Sequence, residues 1–168
     1  MTNGFLRTKR LLFCRWEAGD LLEAEALWGD PLVTRWITAT GRMTAEEVAD
    51  RLAQEVERDK QFGIQYWPLR ERSTGELELG VHLRPAFWGR GLGEEVCRAA
   101  LWYAFVKWDI PSVFAGHNPH NTASPKLLEK LGFSPIGEEF YPPTGLYHPS
   151  YRLQRGDFSC PESPVYLD

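Results

Sequence analysis

Glycines at alternate positions, Gly89, Gly91 and Gly93, stand in the stretch Arg84-Pro85-Ala86-Phe87-Trp88-Gly89-Arg90-Gly91-Leu92-Gly93-Glu94-Glu95. A strand pattern ends before them and a helical pattern begins after them. Glycine lets the backbone turn sharply and lets amide groups approach a ligand closely. The helix N-terminus beyond presents unpaired N–H groups and a partial positive charge. Together these form a cradle for a diphosphate, to which Arg90 adds a charge-assisted contact. A plain strand-to-helix turn has the same composition, so the loop alone does not decide. A dinucleotide fingerprint, Gly-x-Gly-x-x-Gly early in a βαβ unit, fits less well. The third glycine comes one residue too soon, no P-loop lysine follows, and the loop lies mid-chain. Glu94 and Glu95 suit the helix dipole but repel phosphate, so they must point away from it.

Further chemistry-bearing residues flank the loop. Asn121 and Ser124 stand three apart at a helix start, where both are natural caps. Glu78 and His82 share one face of the strand before the loop. His117 closes the next strand, and Glu138 and Glu139 lie on the one after that. Each is a candidate base, although a lone His or Glu on a strand is more often solvated or structural. Glu78 and Glu138 rank slightly ahead. The aromatic, proline-stiffened loop Tyr141-Pro142-Pro143-Thr144-Gly145-Leu146-Tyr147-His148 suits a pocket wall or simple surface packing.

The elements that position these residues follow from periodicity. Leu11 to Trp16 reads as a first strand. Asp20 caps a helix over Leu21–Trp28, which Asp30-Pro31 stops. Thr44 and Glu47 have the spacing of a capping box. The helix they open carries Val48, Leu52 and Val56 on one face and runs to about Lys60. Residues 64–72 read as a strand in which Pro68 marks an edge or a bulge, and Ser73-Thr74-Gly75 is a turn. From Glu76 to Leu83 the chain alternates, with Leu77, Leu79, Val81 and Leu83 on one side. A long helix spans about Gly91–Trp108, a buried strand Val113–His117, and a helix Asn121–Lys130 with Gly132 at its C-cap. Strands around 136–141 and 148–153 end the domain, and residues 156–168 read as a loose tail.

The chain has 168 residues, 43% hydrophobic and with a net charge of −4, which fits one domain with one sizeable core. Basic residues are scattered, which argues against a nucleic-acid partner. No apolar run reaches the ~18 residues of a membrane span, and the first residues lack the features of a signal peptide. Cys14, Cys97 and Cys160 are an odd, widely spaced set without a metal pattern, as expected for reduced thiols in a cytoplasmic protein. The acidic balance suits a cationic acceptor, though weakly.

Trp-Gly-Arg-Gly-Leu-Gly, followed some thirty residues later by Asn121-x-x-Ser124-x-x-Leu127-x-Glu129-Lys130-Leu131-Gly132-Phe133, resembles the GNAT superfamily of acyl-CoA-dependent N-acyltransferases. It is most similar to the branch that contains the ribosomal-protein alanine acetyltransferases. The resemblance covers about residues 6–155, and the pairing of the two motifs is far more specific than either alone. It implies a single α/β (α+β) domain, residues 1–155, with a mixed, mostly antiparallel sheet flanked by helices. It implies acetyl-CoA as cosubstrate without a metal, and an amine acceptor, a protein N-terminus or a small molecule. Backbone N–H groups from Gly89 through Arg90, Gly91 and Leu92 to Gly93 would hold the pyrophosphate, with Trp88 in a slot often filled by Gln or Arg. Val81, His82 and Leu83 would pair with the pantetheine arm as with an added strand. Asn121 would hydrogen-bond that arm, and Ser124 would lie near the sulfur. The expected assembly is a monomer or homodimer.

Two departures accompany the resemblance. The slot that often carries a thiolate-protonating tyrosine holds Leu128, which leaves Ser124 as the substitute acid. The family also normally has three antiparallel strands before the loop, whereas four residues here separate segment 64–72 from Leu77. A tight turn forces its two strands to run oppositely, so losing one strand creates a conflict of direction. Three arrangements resolve it: segment 64–72 takes the middle strand's place, the site is incomplete, or residues between Gly75 and Leu79 are missing from the sequence. The rival functions are a non-catalytic acyl-CoA sensor and, less favoured, a nucleotide-binding module.

Overall fold

In the computed structural model, residues 4–62, 69–71 and 76–167 are described. The chain opens with β1 (Gly4–Arg7) and β2 (Leu12–Cys14), then α1 (Leu21–Trp28), the short α2 (Pro31–Thr34) and the long α3 (Ala45–Phe62). β3 (Leu69–Glu71) and β4 (Leu77–Leu79) precede the glycine loop. Then come α4 (Leu92–Trp102), β5 (Ser112–Gly116), α5 (Ala123–Leu131), β6 (Ser134–Tyr141), β7 (Leu146–Gln154) and β8 (Val165–Tyr166).

The larger sheet has the order β3-β4-β5-β7-β6, and the smaller β2-β1-β8. β4 runs parallel to β5, and every other pairing in the larger sheet is antiparallel. Alternation divides the larger sheet's residues between two covers. Leu77, Leu79, Val113, Ala115 and Leu153 pack with Cys97, Leu101, Leu128 and Leu131 of α4 and α5 in the main core. A second cluster, built from Ala24 and Trp28 of α1 and Val48 and Leu52 of α3, packs separately.

The capping box forms as the spacing predicts. Thr44 N–H donates to Glu47 Oε2 at 2.7 Å, and Glu47 N–H donates to Thr44 Oγ1 at 3.2 Å. Asp20 behaves differently: its carboxylate accepts from Glu17 N–H at 2.9 Å and caps no helical amide. The long helix is interrupted too. α4 passes at Tyr103 into a single π-helical stretch that ends at Lys107. The final residues, read as loose, are tied down. β8 pairs with β1, and Leu167 N–H donates to Phe5 O at 3.1 Å.

β3 pairs antiparallel with β4 in the register Leu69↔Leu79, Arg70↔Glu78, Glu71↔Leu77. The direction of residues 69–71 fits the first of the three arrangements, in which a strand from this part of the chain takes the middle strand's place. Pro68 and the turn at Ser73–Gly75 lie outside the described residues. Among the described residues no helix is long and apolar enough to cross a membrane.

Candidate active site

The β4–β5 ladder consists of Leu77↔Val113 and Glu78↔Phe114. Beyond it β5 stays in register with β7 as far as Gly116↔Ser150, while β4 leaves the ladder at Gly80. The two strands therefore part, and a cavity of about 550 Å³ occupies the wedge, a size typical of small-molecule sites. Its walls come from both sides of the sheet. Asn121, Ser124 and Leu128 of the α5 segment line one side, and Arg51 of α3 and Trp36 beyond α2 line the other. The cavity thus passes through the sheet where β4 and β5 separate.

Gly89, Gly91 and Gly93 sit on its wall with Trp88 and Leu92. Gly89 and Gly91 have φ of 69° and 72°, a left-handed geometry that costs other L-residues about 1–2 kcal/mol. Gly91 is the N-cap of α4 and supplies no side-chain acceptor, so the first amides of α4 are not capped by a side chain. Trp88 Nε1–H donates to Leu83 O at 2.7 Å and braces the chain before the loop. Arg90 is absent from the wall. Its guanidinium lies 5.8 Å from the centre of the Phe87 ring.

Both acidic residues of the first helical turn are drawn away from the loop. Glu94 pairs with Arg98 at 3.0 Å. Glu95 accepts from Thr8 Oγ1 at 2.6 Å, Arg10 Nε at 2.6 Å and Arg10 N–H at 2.9 Å. Arg10 Nη1 also donates to Arg90 O at 2.8 Å, which ties the β1–β2 hairpin to the glycine loop. Burial alone would raise the Glu95 carboxyl, but the hydrogen bonds from Thr8 and Arg10 outweigh it and hold the group below its ordinary range.

Val81, His82 and Leu83 line the cavity, and His82 Nδ1 accepts from Trp28 Nε1–H at 3.2 Å. That bond selects the imidazole tautomer with its proton on Nε2. Asn121 Oδ1 accepts from Ala123 N–H at 3.2 Å just ahead of α5. Glu78 is on the wall, on the sheet face opposite the main core. On β6 the wall residues are Glu139, Phe140 and Tyr141, and Glu138 is not among the lining residues.

Sequence reasoning gave no chemical role to further wall residues. His148 and Ser150 of β7 are buried polar residues two apart, both lining the cavity. The signal was present: polar residues alternate with Tyr147, Pro149 and Tyr151. Cys97 is also on the wall, but burial pushes its thiol up to about 12. It stays protonated at neutral pH and is a poor nucleophile, which disfavours an acyl-cysteine intermediate.

The site therefore lies in an α/β domain whose sheet parts beside a glycine-rich helix N-terminus. The family model described as the acetyltransferase (GNAT) domain matches residues 10–134, and the chain belongs to that family. It is an acyltransferase of a family that uses acetyl-CoA. Among curated proteins it is similar to the uncharacterized N-acetyltransferase p20 of Bacillus licheniformis. The two are 27% identical over 148 residues, covering 79% of this chain and 83% of the relative. In fold it is similar to a GNAT-family acetyltransferase from Bacillus anthracis, with a TM-score of 0.72 and 20% identity, covering 90% of this chain and 99% of that one. The ribosomal-protein-S5-alanine acetyltransferase from Vibrio fischeri superposes with a TM-score of 0.66 at 15% identity, covering 94% and 100%. The single-domain GNAT-like fold expected from the paired motifs is the one observed.

Proposed function

We propose that this chain moves an acetyl group from acetyl-CoA to a primary amine, a protein N-terminus or a small-molecule amine, by direct attack of the amine on the thioester. The observation that carries this reading is the cavity where β4 and β5 part, with the glycine loop and the Glu78 and Glu139 carboxylates on its walls.

The N–H groups from Gly89 to Gly93 bind the pyrophosphate at the start of α4, where the helix dipole favours negative charge. Val81 to Leu83 pair with the pantetheine arm in the wedge that β4 leaves beside β5. Asn121 and Ser124 hold the thioester end of the arm. Arg90 contributes through its backbone, because its side chain is not on the cavity wall. Glu78 and Glu139 attract the cationic acceptor. Glu139 takes the place expected for Glu138, since it is the β6 carboxylate on the wall.

Acetyl-CoA supplies the activated acyl group. A thiol titrates near ~8.5, so its departure as thiolate at pH 7 costs only about 2 kcal/mol. A buried leucine at position 128 is therefore compatible with turnover, and Ser124, on the wall of the same cavity, returns a proton to sulfur.

Calorimetry with acetyl-CoA, CoA and NAD, followed by thiol release across a panel of amines, tests the reading. CoA compounds should bind and NAD should not, and at least one amine should release thiol. A preference for NAD, or no CoA binding, would sink it. Binding without thiol release from any amine would sink the transfer step alone.

A further inference from the structure

Resting on that reading, we propose that His148 is the base that takes the proton from the acceptor ammonium, and that Thr144 fixes its ring for the task.

His148 lies on β7, two residues from Ser150, which stands opposite Gly116 at the end of β5. His148 is therefore just past the point where β5 ends, on the cavity wall beside His117. It is 9% exposed and lines the cavity. Nε2 is 2.8 Å from Thr144 Oγ1, and that hydroxyl lies 3.3 Å from Tyr141 O. A hydroxyl has one proton to give. Donated to the carbonyl, it leaves Oγ1 to accept from His148 Nε2–H, and the lone pair stays on Nδ1. The Tyr141 ring, 4.7 Å from the imidazole, packs against it.

The groups around this ring are mixed in charge. Glu139 of β6 is its direct cross-strand partner, and Tyr141 follows on the same strand. His117 approaches from the end of β5, while Glu78 of β4, Arg51 of α3 and Arg35 beyond α2 face the same cavity. Burial, and then the charge of His117, hold His148 below the ordinary histidine range. It is neutral at neutral pH, as a proton acceptor must be. A carboxylate near ~4 is a much weaker base toward an ammonium near ~10.

The step balances. Nδ1 takes one proton from R–NH3+, which frees the nitrogen lone pair. That pair forms the C–N bond at the thioester carbon, and the C–S bond breaks with its electrons on sulfur. The second nitrogen proton goes to the thiolate, and His148 returns its own proton to solvent.

The test uses thiol release from acetyl-CoA with the amine that the parent protein turns over fastest among an alanine-terminated peptide, spermidine and tyramine. Parent kcat/KM should fall as pH drops through a group titrating below about 6.5. His148→Gln should lower kcat by about 100-fold or more, abolish that acid limb and leave the Kd for CoA unchanged. Thr144→Val removes the acceptor that stabilises the imidazolium, so it should move the limb to lower pH and reduce kcat. It serves as the second readout should His148→Gln fail to fold. An active parent whose His148→Gln variant keeps the limb, or whose Thr144→Val variant changes neither limb nor kcat, overturns the role of His148 alone. A parent that turns over none of the amines overturns the transfer reading and this base with it.

Discussion

Gly89 and Gly91 share a left-handed backbone, yet their surroundings differ. A Cβ at Gly89 would meet nothing within 4 Å, whereas one at Gly91 would come 3.7 Å from Arg10 Nη2. Gly89→Ala therefore isolates the conformational requirement. It adds about 1–2 kcal/mol of strain, and if the loop relaxes away from its binding geometry, CoA affinity should fall roughly 5- to 30-fold. Calorimetry with CoA measures it, and an unchanged Kd would mean that the loop does not cradle the cofactor. Gly91→Glu should abolish binding in the same assay, because it adds the same strain together with a negative charge at the helix N-terminus. The glycines and their chemistry were legible in the sequence because their spacing is local. His148 was not, because its significance comes from meeting His117 and Glu139 across strands. Of the two β6 glutamates, only Glu139 lines the cavity, a distinction the sequence pattern did not make.

At the scale of elements, the β1–β2 hairpin holds the glycine loop from outside the cavity. Arg10 bridges Glu95 of α4 and the Arg90 carbonyl, and Thr8 shares Glu95. An exposed ion pair alone contributes little, so the effect belongs to the loop's position more than to global stability. Arg10→Ala and Glu95→Gln should each weaken CoA binding by about 3- to 10-fold, and the double variant should be little worse than either, since all three remove one coupled unit. Additive losses would show that the residues act separately. The pH dependence has a definite sign. The Glu95 carboxyl is held below its ordinary value, so its contribution is complete above that ordinary value and is lost as pH falls through the depressed one. Local signals foretold the helices well: the Thr44–Glu47 box opens α3, and Gly132, with φ of 88°, ends α5. β1 and β8 escaped notice because strands of four and two residues carry too little periodicity and exist by pairing across the chain.

For the molecule as a whole, the last residues close the structure around its first strand. β8 covers one edge of β1 while β2 covers the other. Tyr166 stacks on Tyr103 at 5.7 Å, and Phe158 packs on Phe105 at 5.1 Å. Arg98 Nη1 donates to Ser159 O at 3.0 Å. Removing residues 158–168 would strip both aromatic partners from the main core and leave a strand edge unpaired, a template for association. At about 0.5–1.5 kcal/mol for each aromatic pair, the loss is about 1–3 kcal/mol. For a chain of this size that lowers the thermal midpoint by roughly 2–12 °C. Because β1 leads directly into Thr8 and Arg10, the same truncation should also loosen the glycine loop and weaken CoA binding in step with Arg10→Ala. Thermal unfolding and calorimetry on one truncated protein read the two effects separately. An unchanged midpoint would restore the loose tail read from the sequence. A lowered midpoint with parent-like CoA affinity would show that the hairpin keeps its grip on the loop without β8.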